Sequence, residues 1–220
     1  MKHKIKISDI SIGILFTLLF ISIGLILVLN FRNLYYNDID TLDIVETSGI
    51  DRETIIENYD ALIDYCSPFY QGDLHFPSLA ASESGLSHFA ETKVIFVSFY
   101  YIGAISLVAA IAIILIKRKR KDYSYLLTSS ITVIVLPVIV GLSIALNFDK
   151  AFIVFHKIFF RNDDWLFNPD TDPIITLLPQ EFFMHCAIGI ILVVFVGSAV
   201  LYVAHRLTKK RSKGLNFRTR

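Results

Sequence analysis

The chain has little of what usually marks a soluble catalytic domain. Among its 220 residues there are two cysteines, one tryptophan and six prolines. Cys66 falls in a polar segment and Cys186 in an apolar one, which argues against a disulfide framework, and neither has zinc-ligand spacing. There is no internal repeat, no GxGxxG, no Walker-type loop, no HExxH and no GxSxG, so those nucleotide, zinc-peptidase and serine-hydrolase chemistries have no anchor. Charged residues make up only 19%, against 54% hydrophobic ones. With a mean hydropathy of +0.58, that balance points away from one or two soluble domains.

What is abundant is apolar sequence in four long runs. Ile10–Leu29 is free of charge and long enough to cross roughly 30 Å of hydrocarbon as a helix. A signal peptide is the competing reading, but no small-residue cleavage site follows, and the run ends in LNFRNLYYND. A retained anchor is expected. The other spans are Val94–Ile116, a stretch from about Tyr125 to Asn147, and Phe182–Ala204. Pro137 and Gly141 in the third are tolerated in membrane helices. The expected segments are therefore spans at 10–30, 94–116, 125–147 and 182–204, with loops at 31–93 and 148–181. The segments 1–9, 117–124 and 205–220 would lie on the opposite side, and the chain would form one membrane domain.

Charge decides the orientation. The N-terminus, the KRKRK turn at 117–121 and the tail from Arg206 hold 15 of the 21 Lys and Arg, while the two long loops hold 18 of the 20 acidic residues. The positive-inside rule places both termini in the cytoplasm and both loops outside. Beside apolar spans the basic runs read as topology signals or contacts to anionic lipid, not as nucleic-acid patches. In the first loop, Ile55, Ile56, Tyr59, Leu62, Ile63 and Cys66 share one helical face, with Glu53, Glu57, Asp60 and Asp64 opposite. That pattern predicts an amphipathic helix, ended with the help of Pro68. Turns or short extended pieces are expected in the following stretch, residues 71–91.

The segment from Phe155 to Phe183 is the most unusual. It combines Trp165, three prolines and a His among aromatics with turn-forming Asn and Asp, which reads as a structured loop at a membrane surface. His88, just before the second span, and His156, just after the third, would both sit near the outer interface. Neutral imidazole can take and return a proton within one cycle; a bland interfacial histidine is the alternative for each. His75, His3 and His205 carry no supporting pattern, and His185 reads as hydrogen-bonded packing. Asp163, Asp164, Asp170 and Asp172 suit Asx turns better than a calcium loop, whose spacing they lack. Lys93 and Arg161 stand in acidic surroundings and could pair with carboxylates or meet a phosphate or oxyanion.

The stretches SHFAETKVIF (87–96) and FHKIFFRNDDWLFNPDTDPIITLLPQEFF (155–183) resemble signature segments of a four-helix membrane protein family of low-GC Gram-positive bacteria, which includes the lipoprotein intramolecular transacylases. The likeness extends over the whole topology. One departure is Asn168, which stands where the family pattern suggests an acidic residue. The resemblance implies an acyltransferase of the cytoplasmic membrane acting at its outer face on lipidated lipoproteins amid phospholipid, without cofactor, metal or nucleic acid. One acyl chain would move from the glyceryl sn-2 oxygen to the α-amine of the N-terminal lipid-bearing cysteine, giving a lyso-form lipoprotein. His88 and His156 match the family's two catalytic histidines, with His156 expected as principal base. Phe159, Phe160 and Trp165 would seat acyl chains, and Tyr59, Lys93 and Arg161 are further substrate-binding candidates. The competing class is a non-enzymatic membrane protein whose acidic outer loops bind an envelope partner.

Overall fold

The computed structural model describes residues 6–218, with side chains from 6 to 210. The basic residues Lys2 and Lys4 and the tail beyond 210, used above as topology signals, lie outside the described side chains. Every element among the described residues is a helix: α1 (Ile7–Asn30), α2 (Asn33–Thr41), α3 (Ile44–Ser48), α4 (Arg52–Tyr65), α5 (Glu83–Lys119), α6 (Tyr125–Leu146), α7 (Phe148–Phe159), α8 (Ile174–Leu177) and α9 (Gln180–Arg218). Helices α1, α5, α6 and α9 are long and apolar enough to cross a membrane. The chain divides into two compact units.

The first unit takes the described residues up to Gly24, Tyr101–Leu142 and those from Ile190 onward. Phe16, Leu19, Ala110, Tyr125, Leu126, Val133, Val194 and Leu201 form its core. Many side chains facing away from this core are also large and apolar, among them Ile14, Val108, Ile131 and Val196, as suits helices solvated by lipid. Gly197 permits one close crossing: a Cβ there would lie 2.5 Å from the Phe20 ring, the small-residue packing that membrane helices favour. Pro137 is buried inside α6 without ending it.

Near the start of α1, Asp9 is fully buried. Its Oδ2 accepts from Ser124 at 3.4 Å, and Lys117 Nζ lies 4.0 Å from Oδ1 while also bonding Asp122 at 2.7 Å. Lys117 is the cation that balances a carboxylate out of water. Replacing it with Met should cost roughly 1–3 kcal/mol, the penalty of leaving a buried polar group unsatisfied. A melting curve of the purified variant in detergent checks this; an unchanged midpoint would show that Asp9 needs no cation.

The second unit comprises Leu25–Tyr100 and Ser143–Gly189. Helix α4 behaves as its periodicity predicts. Asp51 caps its start, accepting from Thr54 N at 3.0 Å, and Ile55, Tyr59, Leu62 and Cys66 are buried in the core. On the other face Arg32 bonds Asp60 at 2.9 Å and also Asp64, which ties α4 to the entry of α2. Tyr35 stacks on Tyr59 with ring centroids 3.7 Å apart and donates to Leu177 O at 2.7 Å. His185 Nδ1 meets the Asp38 carboxylate at 2.9 Å.

Helical structure extends further than hydropathy alone indicated. Helix α5 begins at Glu83, inside the stretch expected to hold turns, because Leu86 and Phe89 have a core to pack against. Residues 155–159 belong to a helix, α7, and not to a loop. Asn147 breaks the chain after α6 by adopting an extended backbone, and its side chain caps α7 by accepting from Lys150 N at 2.8 Å. The remainder, 160–173, is irregular.

Candidate active site

Two helices of the second unit bring the histidines together. His88 stands in the second turn of α5 and His156 near the end of α7, and their ring centroids are 5.8 Å apart. Both are buried, 6% and 8% exposed respectively. Aromatic rings enclose them. Phe160 lies 4.5 Å from His88 and 5.6 Å from His156, centroid to centroid. Phe167 meets His88 edge-on, and Phe152 and Trp165 flank His156 at 4.2 and 4.8 Å.

The two imidazoles differ in their hydrogen bonding. His156 Nδ1 lies 2.8 Å from Phe152 O, one turn earlier on α7. A carbonyl only accepts, so Nδ1 carries the proton, and in the neutral ring Nε2 keeps its lone pair. Burial pushes the His156 pKa down, opposed by that backbone hydrogen bond, and the net shift is below the ordinary value. The ring is therefore a neutral base at pH 7. His88 is held more loosely: its Nε2 is 3.5 Å from Thr92 Oγ1, and its Nδ1 is buried without a hydrogen-bond partner.

The irregular segment is fixed by Asx turns. Asn162 Oδ1 accepts from Asp164 N at 3.2 Å, and Asn168 Oδ1 accepts from Asp170 N at 3.1 Å. Trp165 Nε1 donates to Asn162 O at 3.1 Å, which holds the indole against His156. Among the described residues no cluster of His, Cys, Asp or Glu has the arrangement of a metal site. Asp172 is instead a fastener. Its Oδ1 accepts from Ser82 N at 2.7 Å and its Oδ2 from Thr171 Oγ1 at 2.7 Å. Burial raises its pKa, but these hydrogen bonds outweigh that and leave it below the ordinary carboxylate value.

The other anticipated side chains fall into separate places. Phe160 and Trp165 adjoin the histidines. Phe159 is 47% exposed and packs against Phe155, ring centroids 4.7 Å apart and tilted, along the outward face of α7. Lys93 donates to Tyr70 O at 3.3 Å and sits over the Tyr65 and Tyr70 rings, so among the described residues its ammonium meets a carbonyl and π-faces. Arg161 is exposed. Tyr59 lies 2% exposed within the core, stacked on Tyr35 and not on either histidine.

Glu91 belongs to the same site, although its position in the sequence carries no motif. It follows His88 by three residues, on the same face of α5. Its Oε1 accepts from Asn162 Nδ2 at 3.0 Å, while Oε2 is buried with no partner. Helical spacing from His88 could have found it, had the start of α5 been placed before residue 88.

Comparison with known proteins gives consistent results. A family profile described as "Lipoprotein intramolecular transacylase Lit" matches residues 10–183. The chain is similar to the crystal structure of the membrane-integral lipoprotein intramolecular transacylase Lit from Bacillus cereus, with 38% identity and a TM-score of 0.87, covering 94% of this chain and 98% of that one. Two variants of the Bacillus cereus protein also match. One, with a histidine replaced by arginine, is 38% identical with a TM-score of 0.82, covering 94% of this chain and 91% of that one. The other, with a histidine replaced by alanine, is 36% identical with a TM-score of 0.84, covering 93% of each chain. No curated protein matches the chain.

Proposed function

Because this chain belongs to the Lit family of lipoprotein intramolecular transacylases and is an integral membrane acyltransferase, we propose that it moves the sn-2 acyl chain of a diacylglyceryl-lipoprotein to the α-amine of the N-terminal lipid-bearing cysteine. The observation that carries this reading is the buried pair, His88 and His156, at 5.8 Å, with His156 Nδ1 committed to a carbonyl so that Nε2 is the basic nitrogen.

The steps balance without a co-substrate. The neutral amine attacks the ester carbonyl, an N–C bond forms, and His156 Nε2 takes a proton from the nitrogen. The tetrahedral centre then releases the glyceryl oxygen, and the imidazolium returns the proton to it. His88 Nδ1, carrying hydrogen, donates to the oxyanion and finds there the partner it otherwise lacks. Both reacting groups belong to one molecule, so positioning replaces an encounter; well-oriented intramolecular reactions reach effective molarities of about 10⁵–10⁸ M. The outward face of α7, with Phe155, Ile158 and Phe159 exposed, would take acyl chains and neighbouring phospholipid, as would the rim of Phe160 and Trp165. Exposed Arg161 would face lipid or peptide oxygens, while Lys93 is held by Tyr70 O and the neighbouring tyrosine rings. Charge asymmetry orients the site outward, with both termini in the cytoplasm.

Mass spectrometry of N-terminal lipopeptides from a host lacking its own N-acylation, with and without this protein, tests the reading. One acyl chain should pass from glycerol to nitrogen at constant total mass. Lipopeptides that keep a free amine and two esters, with the protein inserted, would overturn it.

Acidity should affect activity and stability differently. An α-amine titrates near 7.7–8.0 and His156 below its ordinary 6.5, so kcat/KM should fall first through protonation of the amine. For stability, a pKa lowered by folding means that the unfolded chain takes up the proton first. The contribution of neutral His156 is present above about pH 6.5 and is lost as pH falls through its lower folded value. Thermal midpoints between pH 8 and 5 check the sign: His156→Asn should flatten the decline.

A further inference from the structure

We propose that Glu91 is a substrate-contacting residue of the transfer: its Oε2 accepts a hydrogen bond from the substrate α-amine and stabilises the positive charge that develops on nitrogen as it attacks. This inference rests on the functional reading above. A buried carboxylate oxygen with no donor is costly, and Glu91 Oε2 is in that position while its sister oxygen is held by Asn162. Another orphaned buried atom among the described residues is His88 Nδ1, three residues earlier on α5. The two atoms need complementary things. The carboxylate oxygen needs a cationic donor, and a protonated Nδ1 needs an anionic acceptor.

Amine attack on an ester generates that pair of charges. Nitrogen becomes cationic until its proton leaves, and the carbonyl oxygen becomes anionic. Groups fixed beforehand where charge develops, in a site shielded from water, are the strongest electrostatic contributors to catalysis. Glu91 is also coupled to the base. Asn162 joins it to the turn that carries Trp165, and Trp165 stacks on His156. The residue is unchanged over the cycle: the proton passes from nitrogen to His156 and then to the glyceryl oxygen, and Glu91 only accepts hydrogen bonds.

Glu91→Gln tests this with little change of shape. Glutamine Oε1 can still accept from Asn162 Nδ2, while the charge and the free acceptor are gone. The expected loss in kcat is about 10²-fold, the size seen when one contact to a developing charge is removed. The carboxylate also stabilises the bound ammonium, so its removal should move the acid limb of the kcat–pH profile to lower pH. Asn162→Ala, which releases Oε1 but keeps the charge, should leave that limb in place. A Glu91→Gln enzyme with wild-type kcat, or with reduced kcat and an unmoved limb, overturns the assignment and leaves Glu91 a tether for the turn. A binding measurement separates this from failure of the functional reading. Wild-type protein should bind a free-amine diacyl lipopeptide in preference to its N-acetylated analogue, and Glu91→Gln should lose the preference. If no acyl chain moves yet that preference is present and depends on Glu91, the transfer reading falls and the amine site stands. If chains move and the preference does not depend on Glu91, the reverse holds.

Discussion

His156→Asn is expected to remove acyl transfer, by about 10²–10⁴-fold, the range supplied by a positioned general base, while leaving the protein inserted and folded. Asparagine can still offer a donor toward Phe152 O, the bond that His156 makes at 2.8 Å. It has no counterpart of Nε2, so the nitrogen proton has nowhere to go as the N–C bond forms. His88→Ala should also lower the rate, but less, because the hydrogen bond that orients His88, to Thr92, is long and the ring is assigned the oxyanion and not the proton. The two losses should not add, since the histidines act in one step. Lipopeptide mass spectrometry over a time course, normalised to membrane-inserted protein, reads the two single variants and the double variant. Full transfer by His156→Asn would remove the base assignment, and a larger loss in His88→Ala would exchange the two roles.

The second large effect is expected at a position remote from proton transfer. Asp172→Ala should lower the thermal midpoint by about 5–10 °C, on the basis of roughly 2–3 kcal/mol for hydrogen bonds to a buried charged group and of the scaling for a chain of this size. Asp172 is 2% exposed. It binds the backbone N–H of Ser82 at the start of α5, and so fastens the irregular 160–173 segment to the helix that carries His88. Gly85 completes the fastening. A Cβ there would stand 2.3 Å from Asp172 Oδ1 and 3.1 Å from the Phe167 ring, so Gly85→Ala must push the carboxylate aside and should be destabilising on its own. With Asp172 already alanine, the closest clash is gone, and the double variant should be less unstable than the sum of the two. Transfer should fall in each, because Phe167 packs on His88. Additive midpoint shifts would show that the glycine and the carboxylate are independent.

The four spans, the segregated charge and the amphipathic helix at 52–65 were legible in the sequence, because each depends on a local quantity: run length, charge by segment or a repeat near 3.6 residues. The two histidines and the aromatic loop were legible for a different reason, a composition that suits neither a lipid-facing helix nor a linker. That composition did not reveal helix α7, whose start depends on one asparagine cap. It also did not separate Phe160 and Trp165, which touch the histidines, from Phe159, which faces outward, or from Tyr59, which fills the core. Nor did it disclose Glu91, Gly85 or the role of Asp172. These depend on contacts between residues 70 to 90 positions apart, such as Asn162 with Glu91 and Asp172 with Ser82. The sequence by itself determined which segments are long and apolar enough to cross a membrane and which chemical groups are available. Only the tertiary structure decided which of those groups meet, because burial, an unpartnered oxygen and the tautomer of a ring are properties of neighbours in space and not of order along the chain.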